Sequence, residues 1–222
     1  MLYRALEITL GPTMRAVYRP LITGTEHIPK TGALILASNH ISFADEIFTP
    51  LAAGRRISYF AKAEYFTGTG VKGRLTAALF HGLGQVPVER GDPRSAAAVV
   101  DIGVGLLRQG AALGIFPEGT RSPDGSLYRF RTGVARLALR SGAPVVPVGI
   151  VGTRDVQPPG SRRWHRAPVE VHFGPALHFG ARAGEERSAR VLREISDMVR
   201  LAVQELSGQT YVDAFAASSH VA

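Results

Sequence analysis

The stretch ALILASNHISFAD, residues 33–45, decides the fold of this chain. Its first part, Ala33–Ser38, is a short run of small and apolar residues, which is typical of a buried β-strand. Asn39 and His40 end the run, and Ser42 is a suitable N-cap for a helix that follows. A strand, a polar turn and a helix in this order indicate one unit of an open α/β sheet. Ligands bind such sheets at the carboxyl ends of the strands, so we expect chemistry at His40.

The same alternation of short apolar runs and longer helical patterns continues along the chain. Further strands are predicted at Ile57–Ala61, Gln85–Val88, Ala112–Phe116, Val145–Ile150 and Val169–Phe173. Helices are predicted at Ser42–Ala53, Lys72–His81, Asp92–Gln109, Thr132–Ser141 and Glu185–Leu206. Strands that alternate with helices predict a three-layer α/β domain, with a mixed and largely parallel sheet flanked by helices. We place this domain at residues 21–207 and interpret residues 208–222 as a loose C-terminal tail.

Residues 1–20 form a separate segment with a basic amphipathic pattern. Apolar residues recur at spacings of three and four from Leu2 to Tyr18, and the arginines at positions 4, 15 and 19 lie on other faces. Such a segment can lie in the headgroup region of a bilayer, so we interpret it as a membrane-associating helical segment. The alternative is an ordinary helix that covers the core. The segment lacks a signal-peptide cleavage site, and no run of about 18 apolar residues predicts a spanning helix.

The charge balance narrows the classes of partner. Lys and Arg number 26 against 18 Asp and Glu, so the formal net charge is +8, and most of the cations are Arg. Guanidinium groups bind phosphate in bidentate geometry, so nucleic acid and phospholipid headgroups both fit, although a high-GC genome would also favour Arg. The chain has no Cys, which excludes disulfides, thiolate metal sites and Cys nucleophiles. His165, His172 and His178 lack a carboxylate at ligand spacing, so we predict no metal site.

The spacing of His40 and Asp45 permits a catalytic pair. On one continuous helix, residues five apart point about 140° away from each other. The two side chains can meet only if His40 precedes the helix and Asp45 lies in its first turn. An Asp that accepts the Nδ1 proton leaves Nε2 free to act as a general base. The alternative is structural, because Ser42-x-x-Asp45 is also a capping box and a histidine at a strand end can be an ordinary buried residue.

Three further segments accompany this one: Gly84-Gln-Val-Pro-Val-Glu-Arg90, Phe116-Pro-Glu-Gly-Thr-Arg-Ser122 and Val145-Val-Pro-Val148. Together with Asn39-His40-x-Ser42-x-x-Asp45, they resemble the four sequence blocks of the glycerolipid acyltransferase family, in the order of that family. Bacterial 1-acylglycerol-3-phosphate acyltransferases of the PlsC type are similar in length. The resemblance extends from about Thr25 to about Thr153.

The resemblance implies roles for individual residues. The catalytic residues would be His40 and Asp45, and the acceptor phosphate would be bound by Arg90, Glu118, Gly119, Thr120 and Arg121. Gly119 lets a ligand approach the backbone, and the Thr120 hydroxyl and the Arg121 guanidinium are suitable donors to phosphate. As alternatives, Glu118 and Arg121 pair with each other or stabilise the turn, and Arg90 is a solvated charge at a strand end. Possible additional site residues are Asn39, Ser42 and Lys62.

The resemblance also implies the reaction. An acyl group would pass from acyl-CoA or acyl carrier protein, which are donor substrates rather than cofactors, to the free hydroxyl of a lysophospholipid. We favour 1-acylglycerol-3-phosphate as the acceptor and phosphatidate as the product. The enzyme would work as a peripheral protein on the anionic cytoplasmic face of the cytoplasmic membrane. An apolar groove for the acyl chain could be lined by Phe60, Tyr65, Phe66, Leu75, Leu79 and Leu83, although these residues equally suit a core.

Other functions explain less of the sequence. Another lysolipid or glycolipid acceptor is an open alternative, because the first three blocks do not distinguish acceptors. A basic nucleic-acid-binding domain would explain the net charge, but no helix-turn-helix, zinc-finger or RNP pattern is present, and we expect no nucleic-acid partner. Gly68-Thr-Gly-Val-Lys-Gly73 fits a dinucleotide-binding pattern, but it follows a predicted short helix instead of a strand.

Overall fold

The computed structural model describes residues 11–89, 93–161 and 163–217. Strands β1 to β10 lie at Leu21–Thr23, Leu34–Ser38, Ile57–Ser58, Phe60–Lys62, Val86–Val88, Ala112–Ile115, Leu127–Tyr128, Val145–Val151, Glu170–Phe173 and Tyr211–Val212. Helices α1 to α7 lie at residues 11–18, Asp45–Ala53, Gly70–Gly82, Pro93–Arg108, Gly133–Ser141, Thr153–Val156 and Ala189–Ser207.

A six-stranded sheet in the order β1-β9-β8-β2-β6-β3 forms the centre of the domain. All neighbouring strands in it are parallel except β8 and β9. Strand β2 lies between β8 and β6, and all five of its residues are buried. The prediction of a mixed, largely parallel sheet is confirmed. Because β2 is a central strand, its carboxyl end has a neighbouring strand on each side.

Helices cover both faces of the sheet because successive residues of β2 point to opposite sides. Ile35 packs on one side, in a cluster with residues of α4, α5 and α7 such as Ile195. Leu36 packs on the other side with Phe48 of α2 and Met14 of α1. Each large apolar side chain that is fully buried in this way contributes roughly 1.5–3 kcal/mol. The three layers hold the strand ends of the sheet in fixed positions.

One predicted strand is divided in the structure. The predicted strand Ile57–Ala61 is divided at Tyr59, because β3 pairs with β6 whereas β4 pairs with β5 in a separate two-stranded sheet. The backbone N–H of Tyr59 donates to Gln85 Oε1 at 3.1 Å between the two strands. This contact attaches the junction of β3 and β4 to the residue that precedes β5.

The glycines at positions 68, 70 and 73 serve backbone packing. A Cβ on Gly73 would lie 2.2 Å from the carbonyl carbon of Gly68, so the loop before α3 folds directly onto the first turn of that helix. Gly70 has a φ of 72°, which favours glycine. These glycines follow a short 3₁₀ helix, Ala63–Tyr65, instead of a strand, and the structure gives them a local reason that needs no dinucleotide.

The expectation of a loose tail is wrong for residues 208–217, and residues 218–222 lie outside the described residues. We call residues 209–217 the C-terminal strap. Strand β10 of the strap pairs in parallel with β7, and Arg129 N donates to Ala214 O at 2.9 Å. The guanidinium of Arg200 lies 4.0 Å above the ring of Tyr211. Backbone hydrogen bonds order this segment. Such bonds do not require a periodic pattern of apolar side chains, so the sequence does not indicate the strand.

Ending the chain after Gly208 is expected to lower the free energy of unfolding by about 2–4 kcal/mol, because several hydrogen bonds to the β7 backbone are lost together. Urea denaturation followed by circular dichroism measures the change. A chain that ends after residue 217 keeps the strap and serves as the control. Equal stability of the two truncated chains would contradict a structural role for the strap.

Candidate active site

His40 and Asp45 meet at the carboxyl end of β2. His40 is the second residue after the strand, and Asp45 is the first residue of α2. The Nδ1 atom of His40 lies 2.9 Å from Asp45 Oδ2, and the two residues are only 8% and 0% exposed. The predicted contact is therefore present, with the imidazole before the helix and the carboxylate in its first turn. Because Nδ1 faces the carboxylate, Nε2 is the nitrogen that can accept a proton.

The Asp45 carboxylate accepts four hydrogen bonds. Besides His40 Nδ1, the backbone N–H groups of Ile41 and Ser42 donate to Oδ2 at 2.8 and 2.9 Å. The Thr153 hydroxyl donates to Oδ1 at 2.5 Å. These donors compensate the cost of burying a charge and fix the orientation of the carboxylate. The capping contact and the His–Asp contact thus use the same oxygen and are not alternatives, although α2 begins at Asp45 and not at Ser42.

Aromatic rings fix the plane of the imidazole. The His40 ring stacks on Phe116, with 3.8 Å between the ring centroids and an angle of 14° between the planes. Tyr59 lies nearly parallel to Phe116 at 5.4 Å. Phe116 directly follows β6, the parallel neighbour of β2, so the register of the sheet places this ring beside His40. The imidazole is held by its edge at Asp45 and by its face at Phe116.

Glu118 contacts backbone N–H groups, whereas the sequence predicts that it binds the acceptor phosphate. Its carboxyl group is buried, and its two oxygens accept the backbone N–H groups of His40 at 3.0 Å and of Tyr128 at 2.9 Å. Burial raises the pKa of Glu118 from 4.5 to about 7, although the two backbone donors act in the opposite direction. We correct the assignment to the acceptor phosphate: Glu118 connects the backbones on either side of the site, and it does so without pairing with Arg121.

The turn after Glu118 brings Arg121 to the site. Gly119 has a φ of 83°, and a Cβ there would lie 2.7 Å from Arg131 Nε, so this position requires glycine. The Ser122 N–H donates to His40 O at 2.7 Å, which attaches the turn to the backbone of the histidine. Thr120 is half-buried, and the side chain of Arg121 is exposed. Arg121 therefore directly precedes a residue that is bonded to the backbone of His40, and its side chain is exposed.

The remaining predicted residues have other places. Asn39 is buried and exchanges two hydrogen bonds of 2.8 Å with the backbone of Ile150, so it joins β2 to β8 and is corrected to a structural residue. Ser42 is also structural, because its buried hydroxyl donates to Gln157 O at 3.0 Å. Lys62 is exposed at the end of β4, outside the six-stranded sheet. Arg90 lies outside the described residues.

Thr153 is the site residue that sequence reasoning missed. It is fully buried at the start of α6, directly after Gly152, whose φ of 81° turns the chain away from β8. A Cβ on Gly152 would lie 2.0 Å from Pro168 O, so glycine is required for this turn. A signal was available, because the fourth sequence block predicts a strand parallel to β2 and the residues after it lie at the same sheet edge.

An apolar cavity of about 580 Å³ opens beside the site between α1, α2 and α3. Phe43, in the turn between His40 and Asp45, contributes to its wall. Of the residues predicted for an acyl groove, Leu79 and Leu83 line this cavity, whereas Phe60 packs against the core. Further apolar residues of the lining are Met14, Ile47, Pro50, Leu51, Ile57 and Phe80, and Arg15, Glu46 and Gln85 also contribute to it.

Comparison with known proteins places these features in a family. The family model described as Acyltransferase matches residues 19–151. A chloroplastic 1-acyl-sn-glycerol-3-phosphate acyltransferase of Brassica napus is 35% identical over 145 residues, which is 65% of this chain and 40% of that protein. A 1-acyl-sn-glycerol-3-phosphate acyltransferase of Borreliella burgdorferi is 31% identical over 135 residues, which is 61% of this chain and 52% of that protein.

A solved structure is also similar over most of the chain. The 1-acyl-sn-glycerophosphate acyltransferase PlsC of Thermotoga maritima has a TM-score of 0.70 and 27% identity, and the alignment covers 92% of this chain and 79% of that one. The chain therefore belongs to the acyltransferase family. It spans only 40% and 52% of the lengths of the two curated relatives above.

Replacing Glu118 with Gln is expected to change how stability depends on pH. Because the pKa of Glu118 is about 7 in the folded protein and 4.5 ordinarily, the folded protein binds the extra proton between these values. The contribution of Glu118 to stability therefore falls as the pH rises from 4.5 to about 7, and Glu118→Gln should remove this contribution from the pH dependence of the protein. Urea denaturation across this range measures it.

The exposed Glu26 provides a matched control, because Glu26→Gln removes one carboxyl group without removing a buried one. Its stability should depend on pH as that of the parent does. A Glu118→Gln protein with the pH dependence of the parent would contradict the raised pKa.

Proposed function

We propose that this protein transfers a fatty acyl group from acyl-CoA or acyl carrier protein to the free hydroxyl of 1-acylglycerol-3-phosphate, with phosphatidate as the product. The observation that carries this proposal is the 2.9 Å contact between His40 Nδ1 and Asp45 Oδ2 at the carboxyl end of β2. Membership of the family and the names of the relatives support the choice of reaction and acceptor.

In the proposed mechanism, His40 acts as a general base. Its Nε2 takes the proton of the acceptor hydroxyl while the oxygen attacks the carbonyl carbon of the thioester. The C–O ester bond forms, the C–S bond breaks, and His40 returns the proton to the departing thiolate. Asp45 stabilises the imidazolium between these two proton transfers. One base serves both halves of the reaction, and no acyl-enzyme intermediate is needed.

The acceptor phosphate supplies the positioning. The exposed guanidinium of Arg121 can bind it in bidentate geometry, and the Thr120 hydroxyl can add a further donor. Arg90 keeps its proposed phosphate contact on the resemblance alone. Because the turn 119–122 is bonded to the backbone of His40, a phosphate bound there places the hydroxyl near the base.

The apolar cavity and the proposed membrane contact suit the hydrophobic parts of the substrates. The cavity of about 580 Å³ has the size of a small-molecule site and an apolar wall, and we assign it to an acyl chain. We further propose that the protein works at the anionic cytoplasmic face of the membrane, with the outer face of residues 1–20 in the headgroup region. Residues 1–10 lie outside the described residues, and Met14 of α1 packs into the core, so only the other faces of α1 are available for this contact. Within residues 11–89, 93–161 and 163–217, no helix is long and apolar enough to cross a membrane.

The proposal predicts thiol release from acyl-CoA only when a lysophospholipid is present, with lysophosphatidate the best of a panel of acceptors. His40→Ala is expected to lower kcat by at least about 10²-fold, because the general base is lost. Arg121→Ala is expected to cost about 2–4 kcal/mol in acceptor binding if the bound acceptor covers the guanidinium, because a desolvated charge partner of the phosphate is then lost. Steady-state kinetics separate the two effects.

Arg190, which is 80% exposed on α7, gives a matched control for the loss of one positive charge. Arg190→Ala should leave the KM for the acceptor unchanged. The proposal fails if no lysolipid triggers thiol release, and faster turnover with another lysolipid would move the assignment to that acceptor.

Thr153 is proposed as a positioning residue for the catalytic carboxylate. Thr153→Val keeps the size of the side chain but removes the hydrogen bond to Asp45 Oδ1, so the carboxylate can turn away from His40. A hydrogen bond to a charged group contributes about 1.5–3 kcal/mol, and kcat should fall about 10- to 100-fold. The KM for the acceptor should stay near that of the parent, and Thr153→Ser should restore most of the rate. A Val variant with parental kcat would exclude this role.

A further inference from the structure

Helix α3 lacks the burial that normally stabilises a helix in a folded protein. None of its 13 residues, all within the described part of the chain, is buried. Phe80 is half-buried against Tyr65 and Phe66, but three other apolar side chains face outward: Val71 is 78% exposed, Leu75 is 66% exposed and Leu79 is 39% exposed. Helices in proteins depend mainly on packing of an apolar face, so an apolar face without a protein partner indicates a partner of another kind.

The three exposed residues form one surface. Val71, Leu75 and Leu79 are spaced by four and therefore lie on the same side of the helix; we call them the α3 stripe. Leu79 also lines the apolar cavity, so the stripe leads along the helix to the cavity. Phe43, which is 41% exposed, belongs to the wall of the same cavity. An apolar surface thus extends from the turn at the active site to the first turn of α3.

Positive charges lie on both sides of the α3 stripe. Lys72 follows Val71 and Arg74 precedes Leu75, and both are exposed. Neighbouring helix positions are about 100° apart, so these two cations lie on opposite flanks of the stripe. Long cationic side chains beside an apolar face are typical of helices in the interface of an anionic bilayer, where their heads reach the lipid phosphates.

We propose that α3 is a membrane-docking helix: the α3 stripe enters the interfacial region of an anionic bilayer, with Lys72 and Arg74 at the headgroups. This inference rests on the proposed function in one respect, namely that the substrates are lipids that must pass between the bilayer and the cavity. It adds a second contact to the one proposed for residues 1–20. The same face directs the cavity toward the acyl region of the bilayer.

The test uses the full-length protein and vesicles of phosphatidylcholine and phosphatidylglycerol. Val71→Gln with Leu75→Gln removes the outer part of the stripe but leaves Leu79, which lines the cavity, in place. The partition coefficient in vesicle sedimentation should fall at least about 10-fold, as expected for the loss of two inserted side chains. Met198→Gln with Leu201→Gln is the matched control, because these α7 residues are 44% and 49% exposed. The control should bind vesicles as the parent does.

Two further measurements make the outcomes distinct. Thermal denaturation of the α3 double variant should match the parent, and a marked loss of stability would overturn the proposal because it would mean that protein covers the stripe. The proposal would also be overturned if the α3 double variant bound vesicles as the parent does. The same holds if a pull-down showed that the double variant loses binding to acyl carrier protein while vesicle binding stays parental, because α3 would then contact a protein.

Turnover with a short-chain acceptor in free solution should be unchanged in the α3 double variant. This readout separates the two proposals. If the parent turns over no acceptor, the proposed function fails, whereas the vesicle result still decides whether α3 docks on membranes.

Discussion

The site depends on one buried carboxylate. Asp45 accepts hydrogen bonds from His40, Ile41, Ser42 and Thr153, so a single group fixes the imidazole, the turn before α2 and the segment after β8. A carboxylate in this position would be costly without donors, and the donors would lack a common partner without it. The fold meets this constraint by ending two parallel neighbours, β2 and β8, at the same edge of the sheet. The local and the long-range parts of the structure therefore support the same geometry.

This division explains how much could be predicted from the sequence. The His40–Asp45 contact is local, so the spacing of five and a strand-to-helix turn show that it is possible, and the resemblance to the family favours it. The structural role of Glu118 is not local, because it depends on which backbone N–H groups the sheet brings to its two oxygens. Thr153 likewise reaches Asp45 across 108 residues of sequence. The strap was missed for a different reason: backbone hydrogen bonds between short strands leave little trace in side-chain pattern.

The two apolar regions beside the site differ in what surrounds them. The clusters on the faces of the six-stranded sheet are closed by helices, and their members, such as Phe48 and Ile195, are fully buried. The apolar cavity beside Phe43 and the outer face of α3 remain open. The closed clusters contribute to the stability of the fold. The open cavity and the outer face of α3 bury little apolar surface, so they contribute little to it. The cavity lies next to the turn that holds His40, and this position associates it with the proposed substrate.

The pairing of β10 with β7 has a consequence for the order in which the site is assembled. Tyr128 of β7 donates to Glu118, and Glu118 in turn holds the backbone of His40. The strap that completes β7 is far away in sequence, as the bond from Gln209 to Gly125 across 84 residues illustrates. During synthesis from the N-terminus, His40 and Asp45 leave the ribosome early, but the framework behind them closes only after the strap has followed. Nascent chains would thus carry the acid–base pair well before they can hold it in working geometry.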